Sequence, residues 1–232
     1  KLTSFGNKLW IVKPMGQWGG TGIQLMSVDE LKKINTKSII QEYIEHPFLY
    51  ENGHKFDIRI HVLVTTFPNG DMCVYLQWGG LIRISSRPYD PNSKDPMVFL
   101  TNNSIHKKYA RCPEDILQDL FNVKGLNYEK VLSDIQNSVQ KLFRNTEQVL
   151  NPKGYTSSFQ LFGLDFILDG KQKPYLLEVN STPFVDYIKD GGKWSKKIKS
   201  KMLRDMWIIV FKNRLGESVN NTKKKYKFVK IL

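Results

Sequence analysis

The stretch that decides the fold reads SFQLFGLDFILDG over residues 158–170 and resumes as KPYLLEVN over residues 173–180. Two apolar runs joined by a turn that contains Asp-Gly are typical of a β-hairpin. Each run also carries one acid among its apolar residues, Asp165 in the first and Glu178 in the second. If the two runs pair antiparallel around this turn, the two carboxylates face each other on neighbouring strands, about 5 Å apart.

Asn180 belongs to the same predicted cluster, because side chains two residues apart on a strand share a face. Two carboxylates this close repel each other unless a cation lies between them. Oxygen atoms of Asp, Glu and Asn are the ligands that a hard ion such as Mg²⁺ takes, usually together with nucleotide phosphates. The hairpin therefore predicts a metal site formed by Asp165, Glu178 and Asn180, next to a bound nucleotide.

The overall composition is that of an ordinary globular protein. The 232 residues are 41% hydrophobic and 25% charged, which suffices for the core of one domain or of two closely joined lobes. The apolar stretch at residues 206–211 is far too short to span a bilayer. Cys73 and Cys112 have the spacing of neither a disulfide framework nor a metal site, so we expect thiols in a reducing compartment.

The positive charge is concentrated at the C-terminal end. Of the net charge of +13, residues 189–232 contribute +11, from 14 Lys or Arg and 3 Asp or Glu. Residues 1–188 hold 21 basic and 19 acidic residues and are nearly neutral. A basic segment of this kind attracts polyanions, which include nucleic acid, acidic membranes and acidic protein surfaces. Its aromatic residues have core spacing, so nucleic acid is the weakest of these candidate partners.

The remaining pattern indicates an α+β protein with antiparallel sheets. Strands are predicted at residues 10–14, 23–26, 39–44, 56–65 and 72–77. Ser27 and Glu30 form a capping box that predicts a short helix. Longer helices are predicted at residues 128–149 and 194–211, where apolar residues recur at helical spacing. Residues 85–112 are predicted to form a long loop, and a short helix is predicted to begin at residue 113.

A glycine-rich loop at residues 16–22 offers backbone N–H groups that can cradle an anion. The loop matches neither the Walker A motif nor the dinucleotide-binding fingerprint, so by itself it favours a tight turn. Lys13, just before the loop and at the end of a predicted strand, favours a phosphate site instead, because its cation would lie over nucleotide phosphates.

Lys55, Asp57 and Arg59 alternate with apolar residues along one predicted strand, so the three side chains share a face. The pattern fits either a solvated face with cross-strand ion pairs or the polar wall of a cleft, in which Arg59 grips a phosphate or carboxylate. Arg83 is likewise either a surface residue or part of the cleft. Asn102, in the predicted long loop, either caps a turn or reaches into the cleft. The four histidines lack the spacing of metal ligands, and we expect no zinc site.

Taken together, these segments resemble the tubulin–tyrosine ligase and tubulin–tyrosine-ligase-like family, a branch of the ATP-grasp enzymes. The matching stretches are WIVKP (10–14), QEYIEHP (41–47), KFDIR (55–59), LTN and SI (100–102 and 104–105), and the hairpin (158–180). They occur in the order of the family and extend over residues 8–210, nearly the whole chain.

The resemblance implies an ATP-grasp fold of class α+β, in which mostly antiparallel sheets are flanked by helices. It implies a central lobe at residues 1–70, with the N-terminal lobe of the family absent. It also implies a C-terminal lobe with the metal-binding hairpin at residues 71–188, and a basic helical segment at residues 189–232.

The resemblance also implies a role for each candidate residue. The residues that would bind ATP are Lys13 and Lys55 at its phosphates, Gln41 and the neighbouring backbone of Tyr43 at the adenine, and Asp57 and Asn102 along the nucleotide. Arg59 and Arg83 would be the catalytic residues, which bind phosphate, acyl phosphate or a substrate carboxylate. The three polar residues of the hairpin, Asp165, Glu178 and Asn180, would hold Mg²⁺.

The activity implied by the resemblance is that of an ATP-dependent carboxylate–amine ligase, which adds an amino acid to tubulin tails through an acyl-phosphate intermediate. Its cofactors would be ATP and Mg²⁺. Glutamate is favoured as the amino acid because glutamylases are common in the family, while tyrosine ligation and glycylation stay open. The alternative is a catalytically inactive relative that binds microtubules as a structural protein. Trp18 and the lack of a basic residue in the glycine loop allow this alternative.

The implied partners are tubulin or microtubules and a free amino acid. The basic segment suits the polyanionic tails of tubulin, which it would attract over a distance. We expect a monomer that neither binds nucleic acid nor inserts into a membrane. The expected location is the cytoplasm and its cytoskeleton, including the axoneme or basal body of a cilium or flagellum.

Overall fold

The computed structural model of the chain describes residues 8–77, 80–106, 115–116, 123–151, 154–183, 185, 192–219 and 228–232. At residues 103, 115, 116 and 192–198 it describes the backbone only. The described residues form strands and helices in the α+β arrangement that the sequence predicts.

The strands are β1 (Trp10–Pro14), β2 (Gln24–Met26), β3 (Ser38–Glu42), β4 (Leu49–Tyr50), β5 (His54–Thr66), β6 (Met72–Gln77), β7 (Leu81–Pro88), β8 (Asp115–Ile116), β9 (Phe159–Leu168), β10 (Pro174–Asn180) and β11 (Phe228–Lys230). The helices are α1 (Val28–Leu31), α2 (Pro96–Phe99), α3 (Asn103–His106), α4 (Tyr128–Leu150) and α5 (Gly192–Arg214). A 3₁₀ turn at Glu51–Gly53 connects β4 to β5.

The chain divides into two compact units, each assembled from separate stretches. The first unit contains Lys1–Asp57, Arg83–Pro113 and Leu168–Lys171. The second unit contains Ile58–Ile82, Glu114–Ile167 and Gln172–Leu232. The lobe boundaries at residues 70 and 188 stay a prediction.

An antiparallel sheet in the order β2-β1-β3 organises the first unit. Its register pairs Ile11 with Leu25 on one side and with Gln41 on the other. The capping box predicted for α1 is confirmed: Ser27 N–H donates to Glu30 Oε2 at 2.7 Å, and Glu30 N–H donates to Ser27 Oγ at 3.4 Å. A small core holds this unit together and contains Leu25, Tyr43, Phe99 and Leu100.

A larger sheet organises the second unit, with the strands in the order β10-β9-β5-β6-β11. Strand β5 pairs antiparallel with β6 on one side and with β9 on the other. Strands β9 and β10 are hydrogen-bonded neighbours whose connection has only five residues. Because a parallel crossover needs a dozen or more residues, this pair is the hairpin that the sequence predicts.

Helices α4 and α5 cover opposite faces of this larger sheet. Phe143 of α4 contacts Phe162 of β9, with ring centres 5.6 Å apart. Leu63 of β5 packs instead in a cluster with Met202 and Met206 of α5. Phe162 pairs with Val62, the residue next to Leu63, and neighbouring strand residues point to opposite faces. Where side chains are described, the predicted apolar stripes of both helices therefore face the sheet.

Two sequence predictions between residues 85 and 116 are wrong. The predicted loop contains the end of β7 as well as α2 and α3, because these backbone groups find partners of their own. Asp95, for example, accepts a hydrogen bond from Met97 N–H and thereby caps α2. The helix predicted from residue 113 is replaced at Asp115–Ile116 by β8, which pairs with Leu81–Ile82 of β7. Residues 107–114 lie outside the described part of the chain.

Cys73 is a buried free thiol in the core under α5, while Cys112 lies outside the described residues. None of the described helices combines the length and apolar character that a membrane span requires.

A buried network of hydrogen bonds connects α5 to the sheet, and we expect a substitution within it to lower the stability of the protein. Asn213 Nδ2 donates to Thr65 Oγ1 at 2.6 Å and to Tyr75 Oη at 2.9 Å. The substitution Asn213→Ala leaves both hydroxyl groups buried without this partner, so we expect the free energy of unfolding to fall by about 1–3 kcal/mol. Urea denaturation measures this, with Arg214→Ala on the exposed side of the helix as the matched control. Equal losses in the two variants would contradict the role of the network.

Candidate active site

Strand β5 carries a row of polar side chains that the fold buries. Lys55, Asp57, Arg59 and His61 share one strand face, since alternate residues of a strand point the same way. Lys55, Asp57 and His61 are only 6%, 4% and 1% exposed. The solvation that the sequence left open as an alternative is therefore wrong, whereas the cross-strand ion pairs of the same alternative are present. Lys55 and Asp57 belong to the first unit, and Arg59 and His61 to the second.

In the first unit, the ammonium group of Lys55 donates its hydrogen bonds to uncharged groups. Its Nζ donates to Tyr43 Oη and to the carbonyl oxygen of Phe99, both at 2.8 Å. The same Nζ lies 4.4 Å from the centre of the Tyr43 ring, within cation–π range. Among the residues that the structure describes, no carboxylate makes a salt bridge with Lys55.

This environment changes the protonation of Lys55. Burial lowers the pKa of Lys55 to about 7, although the negative charge of Asp57 acts in the opposite direction. Burial also raises the pKa of Tyr43, so its phenol stays neutral beside the ammonium group. A buried cation with neutral partners is stabilised by an incoming anion. The position predicted for a phosphate-binding lysine therefore has the electrostatics that this role requires.

Lys13 and Gln41 lie side by side on neighbouring strands of the first unit. Lys13 Nζ donates to Gln41 Oε1 at 3.1 Å, and both side chains are half-buried. The positive charge of Lys13 also lowers the pKa of Lys55, although less than burial does. The two ammonium groups are therefore close enough to interact. The structure thus brings together Lys13, Gln41, Tyr43 and Lys55, four of the six residues predicted to bind ATP.

Asp57 is held by two partners within the first unit. Arg83 donates to it through both Nε and Nη2, each at 2.7 Å, in a bidentate pair. Thr101 Oγ1 donates to the same carboxylate in a very short hydrogen bond. The Arg83 side chain is 12% exposed, so the interpretation of Arg83 as a surface residue is wrong. Both oxygens of Asp57 are thereby fixed in place beside Lys55.

The glycine-rich loop packs against the segment that contains Asn102. Gly19 and Gly20 have φ angles of 65° and 85°, which favour glycine. A Cβ atom on Gly19 would lie 2.6 Å from Ser104 Oγ, and one on Gly20 would lie 3.1 Å from Asn102 Oδ1. Ser104 Oγ also donates to the carbonyl oxygen of Gly19. Ser104 therefore holds the loop through this hydrogen bond, and Asn102 lies close to Gly20, while Trp18 of the loop is 84% exposed.

The second unit holds the pair formed by Arg59 and Asp165, which oppose each other on β5 and β9. Arg59 donates through Nε and Nη2 to the two carboxylate oxygens, with 2.8 Å between Nη2 and Oδ2. Asp165 is 1% exposed. Gly163 provides the space for this pair, because a Cβ atom there would lie 3.4 Å from Arg59 Nη1 and 2.9 Å from Pro183 Cβ.

Glu178 and Asn180 converge on β10, as the sequence predicts from their spacing. Asn180 Nδ2 donates to Glu178 Oε1 at 3.2 Å, so the amide oxygen Oδ1 is not used in this bond. Among the described residues, no group of three or more His, Cys, Asp or Glu is arranged to hold a metal ion. The predicted set consists of two carboxylates and one amide, and this donor chemistry fits Mg²⁺, which binds few protein ligands and keeps several waters.

Several residues of these clusters were missed by sequence reasoning. Thr101 and Ser104 flank the predicted Asn102, and Gly163 lies two residues before the predicted Asp165. All three lie in stretches that match the family, but the stretches assign them no role, because their contributions depend on the distances described above. His61 continues the alternation of Lys55, Asp57 and Arg59, and this spacing was a signal that could have found it.

The basic segment differs from the prediction in one respect. The charge of this segment is expected to attract polyanions, yet Lys199 is 4% exposed and lies on the buried face of α5. It occupies the same helical stripe as Met202 and Met206, three and seven residues further along. Lys199 therefore cannot contribute to a charged surface. The side chains of Lys196 and Lys197 lie outside the described residues.

The family to which these features belong is shown by comparison with known proteins. The sequence model of the tubulin-tyrosine ligase family matches residues 3–215. The chain therefore belongs to the tubulin-tyrosine ligase family and has its ATP-grasp fold. The resemblance inferred from the short motifs is confirmed.

Individual relatives agree with this assignment. The chain is 31% identical over 226 residues to the tubulin monoglutamylase TTLL4 of Homo sapiens, covering 88% of this chain and 18% of that protein. It is 28% identical over 225 residues to the tubulin polyglutamylase TTLL5 of Mus musculus, covering 87% and 16%. It is 30% identical over 225 residues to the tubulin glycylase 3D of Tetrahymena thermophila, covering 88% and 21%. The chain thus spans about a fifth or less of the length of these relatives.

The buried ammonium group of Lys55 predicts a pH-dependent stability difference. Its pKa is about 7 in the folded protein and 10.5 as an ordinary lysine, so the unfolded chain binds the proton more tightly. The free energy of unfolding of the wild type should therefore rise with pH between about 7 and 10, by at most about 1.4 kcal/mol per pH unit. Lys55→Met lacks this dependence, so its stability relative to wild type should be highest near pH 6 and fall towards pH 9.

Chemical denaturation at several pH values measures this difference. Lys37→Met, at an exposed lysine, is the control, and its difference from wild type should not vary with pH. Parallel pH profiles for wild type and Lys55→Met would show that Lys55 is not buried as a strained cation.

Because Gly163 has close neighbours, we expect even one added methyl group to lower the stability of the protein. Gly163→Ala places a Cβ atom against Pro183 and the Arg59 guanidinium, so we expect a loss of about 1–3 kcal/mol in the free energy of unfolding. Gly170→Ala is the matched control, because its Cβ would meet only the carbonyl oxygen of His46, at 3.4 Å. Urea denaturation compares the two, and a neutral Gly163→Ala would refute the tight packing.

Proposed function

We propose that this chain carries the catalytic core of an ATP-dependent carboxylate–amine ligase, which adds an amino acid to the tails of tubulin. The observation that carries the proposal is the buried ammonium of Lys55, whose neutral partners favour the arrival of an anion. The names of the similar proteins support the substrate, since they include tubulin monoglutamylases, polyglutamylases and a glycylase. Glutamate is the amino acid that we favour, because most of the similar proteins named above are glutamylases.

In this proposal the first unit binds ATP. Lys55 and Lys13 contact its phosphates, and Gln41 and the backbone near Tyr43 contact the adenine. Asp57 and Asn102 line the nucleotide, and Asn102 lies close to Gly20 of the glycine loop. Hydrogen bonds hold Lys13, Gln41, Lys55 and Asp57 in place before ATP arrives, which reduces the reorganisation that binding requires.

In the second unit, Asp165, Glu178 and Asn180 would hold Mg²⁺. When bound, Mg²⁺ neutralises charge on the phosphates of ATP. Arg59 and Arg83 are the proposed catalytic residues, because a guanidinium group can bind phosphate, acyl phosphate or a carboxylate with two parallel hydrogen bonds. Both arginines are oriented by carboxylates, Arg59 by Asp165 and Arg83 by Asp57. This fixes the direction of their remaining donor groups.

The proposed reaction has two steps. A carboxylate of tubulin attacks the γ-phosphorus of ATP, a new P–O bond forms, the bond to the β–γ bridging oxygen breaks, and ADP leaves. The amine of the free amino acid then attacks the acyl carbon, the bond from that carbon to the phosphate oxygen breaks, and phosphate leaves while the amine loses a proton. Such phosphoryl transfer requires positioning and charge neutralisation, which lysine, arginine and Mg²⁺ provide.

The proposed partner is tubulin or the microtubule, through its acidic tails, and the proposed location is the cytoskeleton of the cytoplasm or of a cilium. The net charge of +11 on residues 189–232 supports attraction to a polyanion. The exposed Trp18 in the glycine loop supports one alternative, a catalytically inactive relative that binds microtubules. The glycylase relative supports another, the ligation of glycine.

The deciding experiment incubates the protein with tubulin, Mg-ATP and one labelled amino acid at a time, followed by mass spectrometry of the tubulin tails. We expect transfer of glutamate, dependent on ATP. Transfer of glycine or tyrosine instead would correct the amino acid. Binding to microtubules without any transfer would support the inactive alternative and contradict the proposed activity.

The metal role of Glu178 gives a prediction that does not depend on tubulin. Glu178→Gln removes a charged oxygen ligand, so we expect the apparent affinity for Mg²⁺ in the presence of ATP to fall on the order of 10- to 100-fold. Thermal melting with ATP at increasing Mg²⁺ concentration measures the effect. Glu147→Gln, at an exposed position of α4, is the control and should behave like the wild type. The same Mg²⁺ dependence in both variants would remove Glu178 from the metal site.

A further inference from the structure

His61 is a buried histidine to which neither the family motifs nor the proposed reaction assigns a role. It lies in the second unit on β5, two residues after Arg59, and is 1% exposed. Its Nδ1 lies 2.7 Å from Gln77 Oε1 on β6. The backbone N–H of His61 donates to the same oxygen at 3.2 Å. Gln77 therefore grips both the ring and the backbone of His61.

These contacts define the tautomer of the His61 ring. Because the backbone N–H donates to Oε1, this atom is the oxygen of the Gln77 amide and acts as an acceptor. The ring nitrogen that faces it must then be the one that carries the proton, which leaves Nε2 with a lone pair. Burial, together with the positive charges of Arg59 and Lys199, lowers the pKa of His61 to about 4, so the ring stays neutral.

The lone pair of Nε2 is buried and has no hydrogen-bond partner within the described part of the chain. A buried polar atom without a partner is costly, and in native proteins such atoms usually bind an ordered water or a ligand. Nε2 of His61 is therefore an acceptor for which we expect a hydrogen-bond donor nearby.

The neighbouring Arg59 has a hydrogen-bond donor without a described acceptor. It uses Nε and Nη2 to bind Asp165, while no described residue accepts a hydrogen bond from Nη1. Nη1 lies 3.4 Å from the place where a Cβ atom of Gly163 would be, and Gly163 is the residue paired with His61 across the strands. The unused donor of Arg59 thus lies beside Gly163, whose backbone is paired with that of His61, and the side chains of Arg59 and His61 share one face of β5.

We propose that His61 is a positioning residue for Arg59. A bridging molecule, in the simplest case one ordered water, accepts a hydrogen bond from Arg59 Nη1 and donates one to His61 Nε2. Gln77 fixes the ring so that its acceptor faces the bridge, and Asp165 fixes the other edge of the guanidinium group. Arg59 is then held at both edges and cannot rotate freely.

The consequence for catalysis rests on the proposed ligase function. A guanidinium group held in one plane presents its donors to the transferring phosphoryl group without reorganisation, which lowers the barrier to the chemical step. The loss of His61 should therefore reduce kcat while the KM for ATP stays unchanged, because ATP binding depends on the first unit.

Two substitutions of His61 separate the lost acceptor from a change in packing. His61→Phe keeps a ring of similar size without an acceptor, while His61→Asn supplies an acceptor oxygen. Gln77→Leu leaves the histidine in place but releases its orientation, and serves if His61→Phe does not fold. His46→Phe, at an exposed histidine, is the control.

Nitrogen-15 NMR of the arginine side chains measures the rotation of the Arg59 guanidinium group, with Arg59→Lys to assign its signal. We expect the rotation rate to rise about tenfold in His61→Phe and in Gln77→Leu, and to stay near the wild-type value in His61→Asn. The histidine spectra should show a proton on Nδ1 and none on Nε2. In the ligase assay, kcat should fall about tenfold in His61→Phe and recover in His61→Asn.

An unchanged rotation rate in His61→Phe, a proton on Nε2, or a failure of His61→Asn to restore the wild-type rate would overturn the proposal. A wild-type protein that transfers no amino acid to tubulin would count against the ligase function alone. The NMR comparison needs no turnover, so it still decides whether His61 positions Arg59.

Discussion

The burial of charged side chains along one face of β5 is the constraint on which both candidate clusters depend. A charge removed from water is costly unless an opposite charge or several hydrogen bonds compensate for it. Asp57 is compensated by Arg83 and Thr101, and Arg59 by Asp165. Because each pair is bidentate, compensation also fixes the directions of the side chains. The same contacts that allow these residues to be buried thus place their functional groups.

Lys55 is the member of this row whose charge has only uncharged hydrogen-bond partners among the described residues. Its hydrogen bonds go to a phenol and a carbonyl group, and burial holds its pKa at about 7. A protein selected for stability alone would gain from an apolar residue at such a position. The retained lysine is understandable if an anion completes the site. His61 shows a related imbalance in the second unit, where one ring nitrogen is satisfied by Gln77 and the other lacks a described partner.

Much of this arrangement could be predicted from the sequence, because it depends on periodicity. The alternation from Lys55 onwards, the hairpin with Asp165 and Glu178, and the stripe of α4 all follow from the spacing of apolar residues. Burial could not be predicted in the same way. Lys199 lies at an apolar stripe position although it is charged, and Arg83 resembled a surface residue until its partner Asp57 was known. The strand at Asp115–Ile116 also required knowledge of a distant partner, since two residues have no periodicity of their own.

The central claim is that the buried ammonium group of Lys55 binds an anionic phosphate of ATP. The most direct test counts the protons that the protein takes up when Mg-ATP binds. Isothermal titration calorimetry in buffers of different ionisation enthalpy gives this number. If phosphate contact restores the charge of Lys55, binding at pH 7 should take up about half a proton, more at pH 8, and almost none at pH 5.5. Binding without proton uptake at pH 7 and pH 8, or with proton release, would contradict the account.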